Sequence, residues 1–382
     1  MNKKKIIHIV DTLCVGGKEN VIIDICNNLD VDKYVVYIIT LTNDENVAAI
    51  KLSSNVNFFA LPIEHQKLVG INTVFSFLFA VSNLKALIKS INPDIIHTHS
   101  YLHRLLIEAY AINSLGLKCK CYHTVHTSGM YYDSNRLKDK FKLAVDKLAL
   151  GLYRPSLIGI SELIQNNNVR YFEKQSSRSK YIPNGIDLNL FQRDRYTVLR
   201  SDWEIKDHDI AIVYVARLCK GKNHLTLLKA ITLVVINYPE VKLFLAGDGE
   251  MREEIESFIS LNHLQNNVIM LGSIDNVPEL LSISDLAVFP SEFEGFTLTL
   301  IEKMVMGLPV ICADNEIFKK LINHGENGLL FSMFDFEELA NCVIRLIEDK
   351  FLCSKISINA KLFSEQFSLK RMISSLQYYY DN

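Results

Sequence analysis

The chain has 382 residues, 49% of them hydrophobic and 22% charged, and its 41 lysines and arginines against 43 aspartates and glutamates leave a formal charge of −2. That length exceeds one ordinary core and suits two domains. The balanced charge, with no basic stripe interleaved with aromatics and no zinc-finger spacing, excludes a nucleic-acid-binding class, and eight scattered cysteines fit a reducing compartment rather than a disulfide frame.

In chain order, Lys3-Lys4-Lys5 leads into Ile6-Ile7-His8-Ile9-Val10 and stops at Asp11. This apolar run is too short for a signal peptide and reads as a first strand. Further strands are expected at 34–40, 56–61, 94–97, 120–124 and 156–160, then at 210–216, 242–246, 268–271, 286–289 and 309–312. Helical patterns separate them, as at 19–29, 225–237 and 251–261. Strand–helix alternation of this kind means parallel sheets covered on both faces. The uncharged run 67–85 is broken by Asn72, Thr73, Ser76, Ser82 and Asn83. A membrane span needs roughly 20 mostly apolar residues, so this run is expected to pack on the protein as a helix. A cytoplasmic protein is expected. The turn chemistry of Pro183-Asn184-Gly185 marks a break between two doubly wound halves. Ligands of such sheets bind outside the carboxyl ends of the strands.

Four motifs fall at those ends. Gly16-Gly17-Lys18-Glu19 follows the first strand and opens a helix. Glycines there admit a phosphate or sugar to backbone N–H groups, although a plain tight turn reads the same way. Arg217 and Lys222 follow the strand 210–216, where two cations can neutralise a leaving diphosphate or remain solvated charges. Gly247-Asp248-Gly249-Glu250 is a strand-to-helix turn that could face a nucleotide, with Asp248 as a cap. Last, the stretch 289–309 holds Glu294 and Glu302, eight positions apart. Leu298, Ile301, Met304 and Val305 form a helical stripe, Thr297 is placed to cap it, and Gly307 and Pro309 end it. The backbone N–H groups of Gly295, Phe296, Thr297 and Leu298 lie between the two carboxylates and suit a phosphate, while carboxylates suit sugar hydroxyls.

The histidines His97, His99, His123 and His126 fit no zinc signature, and the Cys119, Cys121, His123 alternation is one face of a strand. His126 falls past the strand end, where ligands gather. Two Asp-x-Asp pairs, Asp30/Asp32 and Asp207/Asp209, precede strands and read as solvated turns. No metal and no cofactor is expected to be required. From 135 to 154, Arg136, Lys138, Lys140, Lys142, Lys147 and Arg154 face only Asp139 and Asp146. Such a helix can lie on anionic lipid or stay solvated.

Taken together, these motifs resemble glycosyltransferase family 4, the retaining enzymes of GT-B architecture. The resemblance rests on Gly16-Gly17, Pro93-Asp-Ile-Ile-His-Thr-His99, His126, Ile158-Gly-Ile-Ser161, Ile182-Pro-Asn-Gly-Ile-Asp187, Arg217 with Lys222-Asn223, Gly247-Asp-Gly249, the Glu294/Glu302 block, Gly307-Leu-Pro-Val310 and Asn327-Gly-Leu-Leu330. It implies an α/β fold of two Rossmann-like domains facing an interdomain cleft. Residues 1–175 with 365–382 would form the acceptor side, and 176–364 the donor-binding side. It also implies that Arg217 and Lys222 hold the donor diphosphate and that Glu294 binds sugar hydroxyls, with Gly295 and Phe296 supplying backbone contacts. Glu302 would bind ribose, His126 would stand by the donor sugar, and Gly16-Gly17 would lie near phosphates and acceptor. A nucleotide diphosphate sugar, most often UDP-linked, would be the donor. A glycan or lipid-linked acceptor would receive a hexose-type sugar in capsule or lipopolysaccharide assembly, with peripheral contact to an anionic membrane. A sugar-nucleotide epimerase or a non-catalytic relative of the same architecture would share the pattern. Thr297 and Lys303 depart from the family without touching a charged role, and the 314–318 loop is short of the family's usual glycine-rich turn.

Overall fold

A computed structural model of the chain describes residues 3–14, 16–43, 46–63, 73–126, 136–172, 178–292 and 297–382. The chain divides into two compact units, Met1–Gly185 with Leu369–Asn382, and Ile186–Ser368.

The first unit is built on seven parallel strands: β1 (Lys4–Val10), β2 (Tyr34–Thr40), β3 (Val56–Ala60), β4 (Ile95–Thr98), β5 (Lys120–Val125), β6 (Ser156–Gly159) and β7 (Lys180–Tyr181). Their order is β3-β2-β1-β4-β5-β6-β7. Ile6, Ile7, Ile9 and Val10 are all buried, as expected of a central strand covered on both faces. The register sets His8 of β1 level with His97 of β4. After β1 the chain winds outward to β3, then returns to β4 on the other side. The β1/β4 boundary is therefore the topological switch point, where such sheets bind ligands.

Helix Thr73–Ile91 turns Ala80, Leu84, Ile88 and Ile91 into the core and leaves Phe75, Leu78 and Phe79 exposed. That three-to-four-residue spacing is one helical face. Helix Leu102–Asn113 starts at Leu102, held at φ 55° with its N–H donated to Asp146 Oδ1 at 2.9 Å. The final helix, Leu369–Asp381, docks back on this unit. The Tyr380 hydroxyl lies 2.6 Å from His97 Nδ1, the Tyr122 hydroxyl donates to the Tyr379 carbonyl, and Lys4 pairs with Asp381 at 2.7 Å.

The second unit has six parallel strands: β8 (Ile210–Val215), β9 (Val241–Ala246), β10 (Val268–Gly272), β11 (Leu286–Phe289), β12 (Val310–Ala313) and β13 (Leu329–Phe331). Their order, β10-β9-β8-β11-β12-β13, repeats the same winding and puts the switch point between β8 and β11. Helices including His224–Asn237, Arg252–Leu261, Leu298–Val305 and Phe336–Glu348 follow the strands. The expected strands are all present within a residue or so. β7 and β13, two and three residues long, were not anticipated because runs that short carry no readable period. Among the described residues, no helix is long and apolar enough to cross a membrane.

Candidate functional site

Around the β8/β11 switch point four loops are stitched together. Arg217 lies just past β8 and is exposed, and Lys222 ends a short 3₁₀ turn, Lys220–Lys222, before helix His224–Asn237. Asn223 sits at φ 53°, a left-handed position that asparagine tolerates. The Gly247–Gly249 loop lies against this turn. Leu218 N–H donates to the Asp248 carbonyl at 3.0 Å, and Met251 N–H donates to the Leu218 carbonyl at 2.9 Å. A Cβ on Gly247 would fall 2.0 Å from the Ala216 oxygen, and one on Gly249 would fall 2.4 Å from the Leu218 oxygen. Both positions therefore require glycine. From the β11 side, Glu292 N–H donates to the Gly221 carbonyl at 3.0 Å. The Tyr214 hydroxyl, rising from inside β8, donates to the Lys222 carbonyl at 2.8 Å and accepts from Ser291 Oγ at 3.0 Å. Asn315 Nδ2 then donates to the Ser291 carbonyl, while its Oδ1 accepts from Ile317 and Phe318. The 314–318 loop thus needs no glycine-rich turn, because one asparagine side chain organises it.

Helix Leu298–Val305 begins at the same strand ends. Glu294, Gly295 and Phe296 lie outside the described residues. Thr297 stands at the N-cap position but makes no side-chain cap, and its buried Oγ1 has no partner among the described residues. The capping expectation is corrected accordingly. Glu302 stands in the second turn. The expectation that Lys303 touches no charged role is also corrected. Lys303 is fully buried, with Nζ 3.4 Å from Glu302 Oε2 and 6.0 Å from the Phe289 ring centroid. Burial lowers its pKa from the usual lysine value, opposed by the Glu302 charge. Nor does Asp248 cap the next helix. It accepts from Gly249 N–H and pairs with Arg252, and Met251 takes the N-cap position.

In the first unit, the β1/β4 switch point gathers a charged group that sequence patterning missed, apart from Lys18 and Glu19. Buried Asp11, the residue after β1, lies 3.1 Å from Arg104 and 3.5 Å from Lys18, and Lys18 lies 3.3 Å from Glu19. Burial works against the Lys18 charge, but Asp11, Glu19 and Tyr101 together raise its pKa above the ordinary lysine value. Glu108 is fully buried, and burial pushes the pKa of its carboxyl well above the usual range. Gly16 and Gly17 open helix Gly17–Asn28, with Gly16 as its extended N-cap.

Beside them runs a line of imidazoles. His8 Nδ1 is 3.0 Å from His99 Nε2, and His99 Nδ1 is 3.0 Å from His126 Nε2. Burial lowers the pKa of His8 to about 3 and those of His99 and His126 well below the normal value. His123 is held by Thr98 Oγ1 at 2.8 Å, and burial lowers its pKa to about 4. Among the described residues His8, His97 and His99 converge closely enough to hold a metal. Both His97 nitrogens are already committed, however, to Tyr380 at 2.6 Å and Thr124 at 2.7 Å. Of the Asp-x-Asp pairs, Asp209 is not solvated as expected. It is buried and accepts from Lys206 N–H at 2.9 Å.

Two family models match this chain, "Glycosyltransferase Family 4" over residues 15–190 and "Glycosyl transferases group 1" over residues 196–363. The chain belongs to this glycosyltransferase family. The glycosyltransferase is 25% identical to N-acetyl-alpha-D-glucosaminyl L-malate synthase of Bacillus anthracis over 83% of each chain. It is 26% identical to the UDP-Gal:alpha-D-GlcNAc-diphosphoundecaprenol alpha-1,3-galactosyltransferase of Escherichia coli, covering 71% of this chain and 70% of that one. Its fold matches Anabaena HepE, solved in complex with UDP and glucose, with a TM-score of 0.79 at 21% identity over 98% of each chain. The architecture of this glycosyltransferase is GT-B.

Proposed function

We propose that the protein is a retaining, metal-independent hexosyltransferase. It takes sugar from a UDP-sugar and passes it to a glycan or lipid-linked acceptor in cell-surface polysaccharide synthesis at the cytoplasmic face of the membrane. The observation that carries this reading is the β8/β11 switch point, where Arg217 and Lys222 stand on a turn tied by hydrogen bonds to both neighbouring loops. Rigid cations at strand ends suit a diphosphate leaving group. The second unit is the donor-binding unit in this reading, and the first, with its charged group around Asp11, serves the acceptor. Arg217, Lys222 and Gly247 hold the diphosphate. Glu294 binds sugar hydroxyls, Glu302 binds ribose, and the backbone of Gly295, Phe296, Thr297 and Leu298 meets sugar and phosphate. Gly16 and Gly17 approach phosphates and acceptor, and His126 lies by the sugar. The bond from the anomeric carbon to phosphate breaks, the bond to the acceptor oxygen forms on the same face, and the acceptor proton passes to the departing phosphate. UDP-linked donors are supported by the names of the relative and of the solved neighbour.

A screen of nucleotide sugars for acceptor-dependent release of nucleotide diphosphate tests the reading. With the right donor, Lys222→Ala should lower kcat/KM about 100-fold with the fold intact. Near-normal rates would remove Lys222 from the mechanism. A covalent sugar–enzyme adduct would remove the same-face step, and a nucleotide-bound product formed without acceptor would make the protein an epimerase.

Membrane contact belongs to the same reading. Helix Leu137–Tyr153 exposes Leu137, Phe141 and Leu148 beside Lys138, Lys140 and Lys147. Apolar and basic groups on one exposed helix favour an anionic lipid surface. Cosedimentation with phosphatidylglycerol vesicles, lost in high salt and absent with phosphatidylcholine, is the expected result. Equal behaviour with both lipids would overturn it.

A further inference from the structure

The line of imidazoles from His8 to His126 has few ways to place its protons. Each ring is neutral, because burial holds every pKa in the line below its normal value. Each ring therefore carries one proton, and each of the two 3.0 Å contacts needs one proton between its nitrogens. Only two arrangements satisfy both contacts. In one, all three rings carry the proton on Nδ1. In the other, all three carry it on Nε2.

His8 decides between them. Its Nε2 is buried and has no hydrogen-bond partner among the described residues. The all-Nε2 arrangement would bury an N–H donor with no acceptor among the described residues. The all-Nδ1 arrangement leaves only a bare lone pair there. Orphaned buried N–H groups are the rarer and costlier defect in folded proteins. The proton thus sits on Nδ1 of His8, is donated to His99 Nε2, and the same sense passes on to His126.

We propose that His8 and His99 are positioning residues that lock His126 in the tautomer with its proton on Nδ1, so that His126 offers its ligand a hydrogen-bond donor. The place of His126 beside the sugar rests on the function proposed above; its tautomer does not. A donor at that point recognises an oxygen lone pair, such as a sugar hydroxyl or a phosphate oxygen, and takes no proton from the acceptor. This fits a transfer in which the departing phosphate is the base. The sequence hides the line because its members are 91 and 27 residues apart and meet only through parallel strand register.

Side-chain ¹H–¹⁵N correlation spectra of the full-length protein, labelled in its histidine rings, read the tautomer directly. His126→Gln identifies the His126 resonances by their loss. The expected pattern at His126 is a protonated Nδ1 and a bare Nε2. The reverse pattern, or rapid averaging of the two, overturns the proposal. In His8→Leu the His126 pattern should become mixed, and kcat should fall about tenfold with donor KM little changed. An unchanged His126 pattern in a folded His8→Leu protein also overturns it. If that variant does not fold, the wild-type spectrum alone decides. The spectra need neither donor nor acceptor, so failure of the transferase reading would show separately, as absent turnover with an intact Nδ1–H signature.

Discussion

Lys303 is a cation that the chain hides beside the Glu302 carboxylate. Its ammonium touches Glu302 and is otherwise enclosed by the core of the second unit. Removing one partner of a buried ion pair leaves the other charge uncompensated, and an unpaired Glu302 would also lose orientation. Lys303→Met is therefore expected to lower the unfolding midpoint and to raise donor KM about tenfold. Calorimetry and initial rates check the two halves separately. Glu108 gives the opposite kind of test. Burial raises the pKa of its carboxyl well above the usual range in the folded chain. The unfolded chain begins to ionise there near pH 4.3, so stability falls as pH rises above that value towards the folded pKa. Glu108→Gln should raise the unfolding midpoint at pH 8 and leave it unchanged at pH 4. An equal shift at both values would mean that packing, not charge, is responsible. Neither residue was legible beforehand. A helical lysine and a helical glutamate read as solvated charges until the packing that buries them is known.

At the scale of elements, the strand-to-helix turns were legible because apolar strand runs end abruptly in Gly, Arg or Asp. Arg217, Lys222 and Gly247 fall at the sheet end where the alternating pattern put them. What the pattern could not show is which turns touch. The contact of Gly247 with the Ala216 oxygen depends on β8 and β9 lying side by side. With φ at 140° and no room for a Cβ, Gly247→Ala should cost about 1–3 kcal/mol and displace the Arg217 turn. UDP affinity, measured by calorimetry, should fall by about tenfold or more, whereas Gly221→Ala, which meets nothing nearby, should leave it unchanged. In the same way, the pair formed by Asp11 and Arg104 exists only because β1 and β4 are neighbours at the switch point.

Across the whole molecule the buried histidines are unevenly shared. His8, His97, His99, His123 and His126 all belong to the first unit, while His224, lowered to about 4 by burial and by Lys222, belongs to the second. An unfolded chain binds protons at these residues from about pH 6.5 downward, and the folded units do not. Stability is therefore present above that pH and is lost as pH falls towards the depressed folded values. Each histidine contributes up to about 1.4 kcal/mol per pH unit. Hydrogen exchange between pH 6.5 and pH 4.5 should show the first unit opening before the second. Simultaneous opening would refute this.

The helix Leu369–Asp381 has a consequence for the order in which the molecule is made. It supplies Tyr380 to His97 and backbone acceptors to Lys120 and Tyr122, all within the first unit. The second unit, by contrast, is one uninterrupted stretch. On the ribosome the earlier-made unit must wait, the Nδ1 of His97 without its Tyr380 partner, while the later one is synthesised and closes. The usual N-terminal-first sequence of domain folding is reversed, and the first unit is completed only when the last turn of helix emerges.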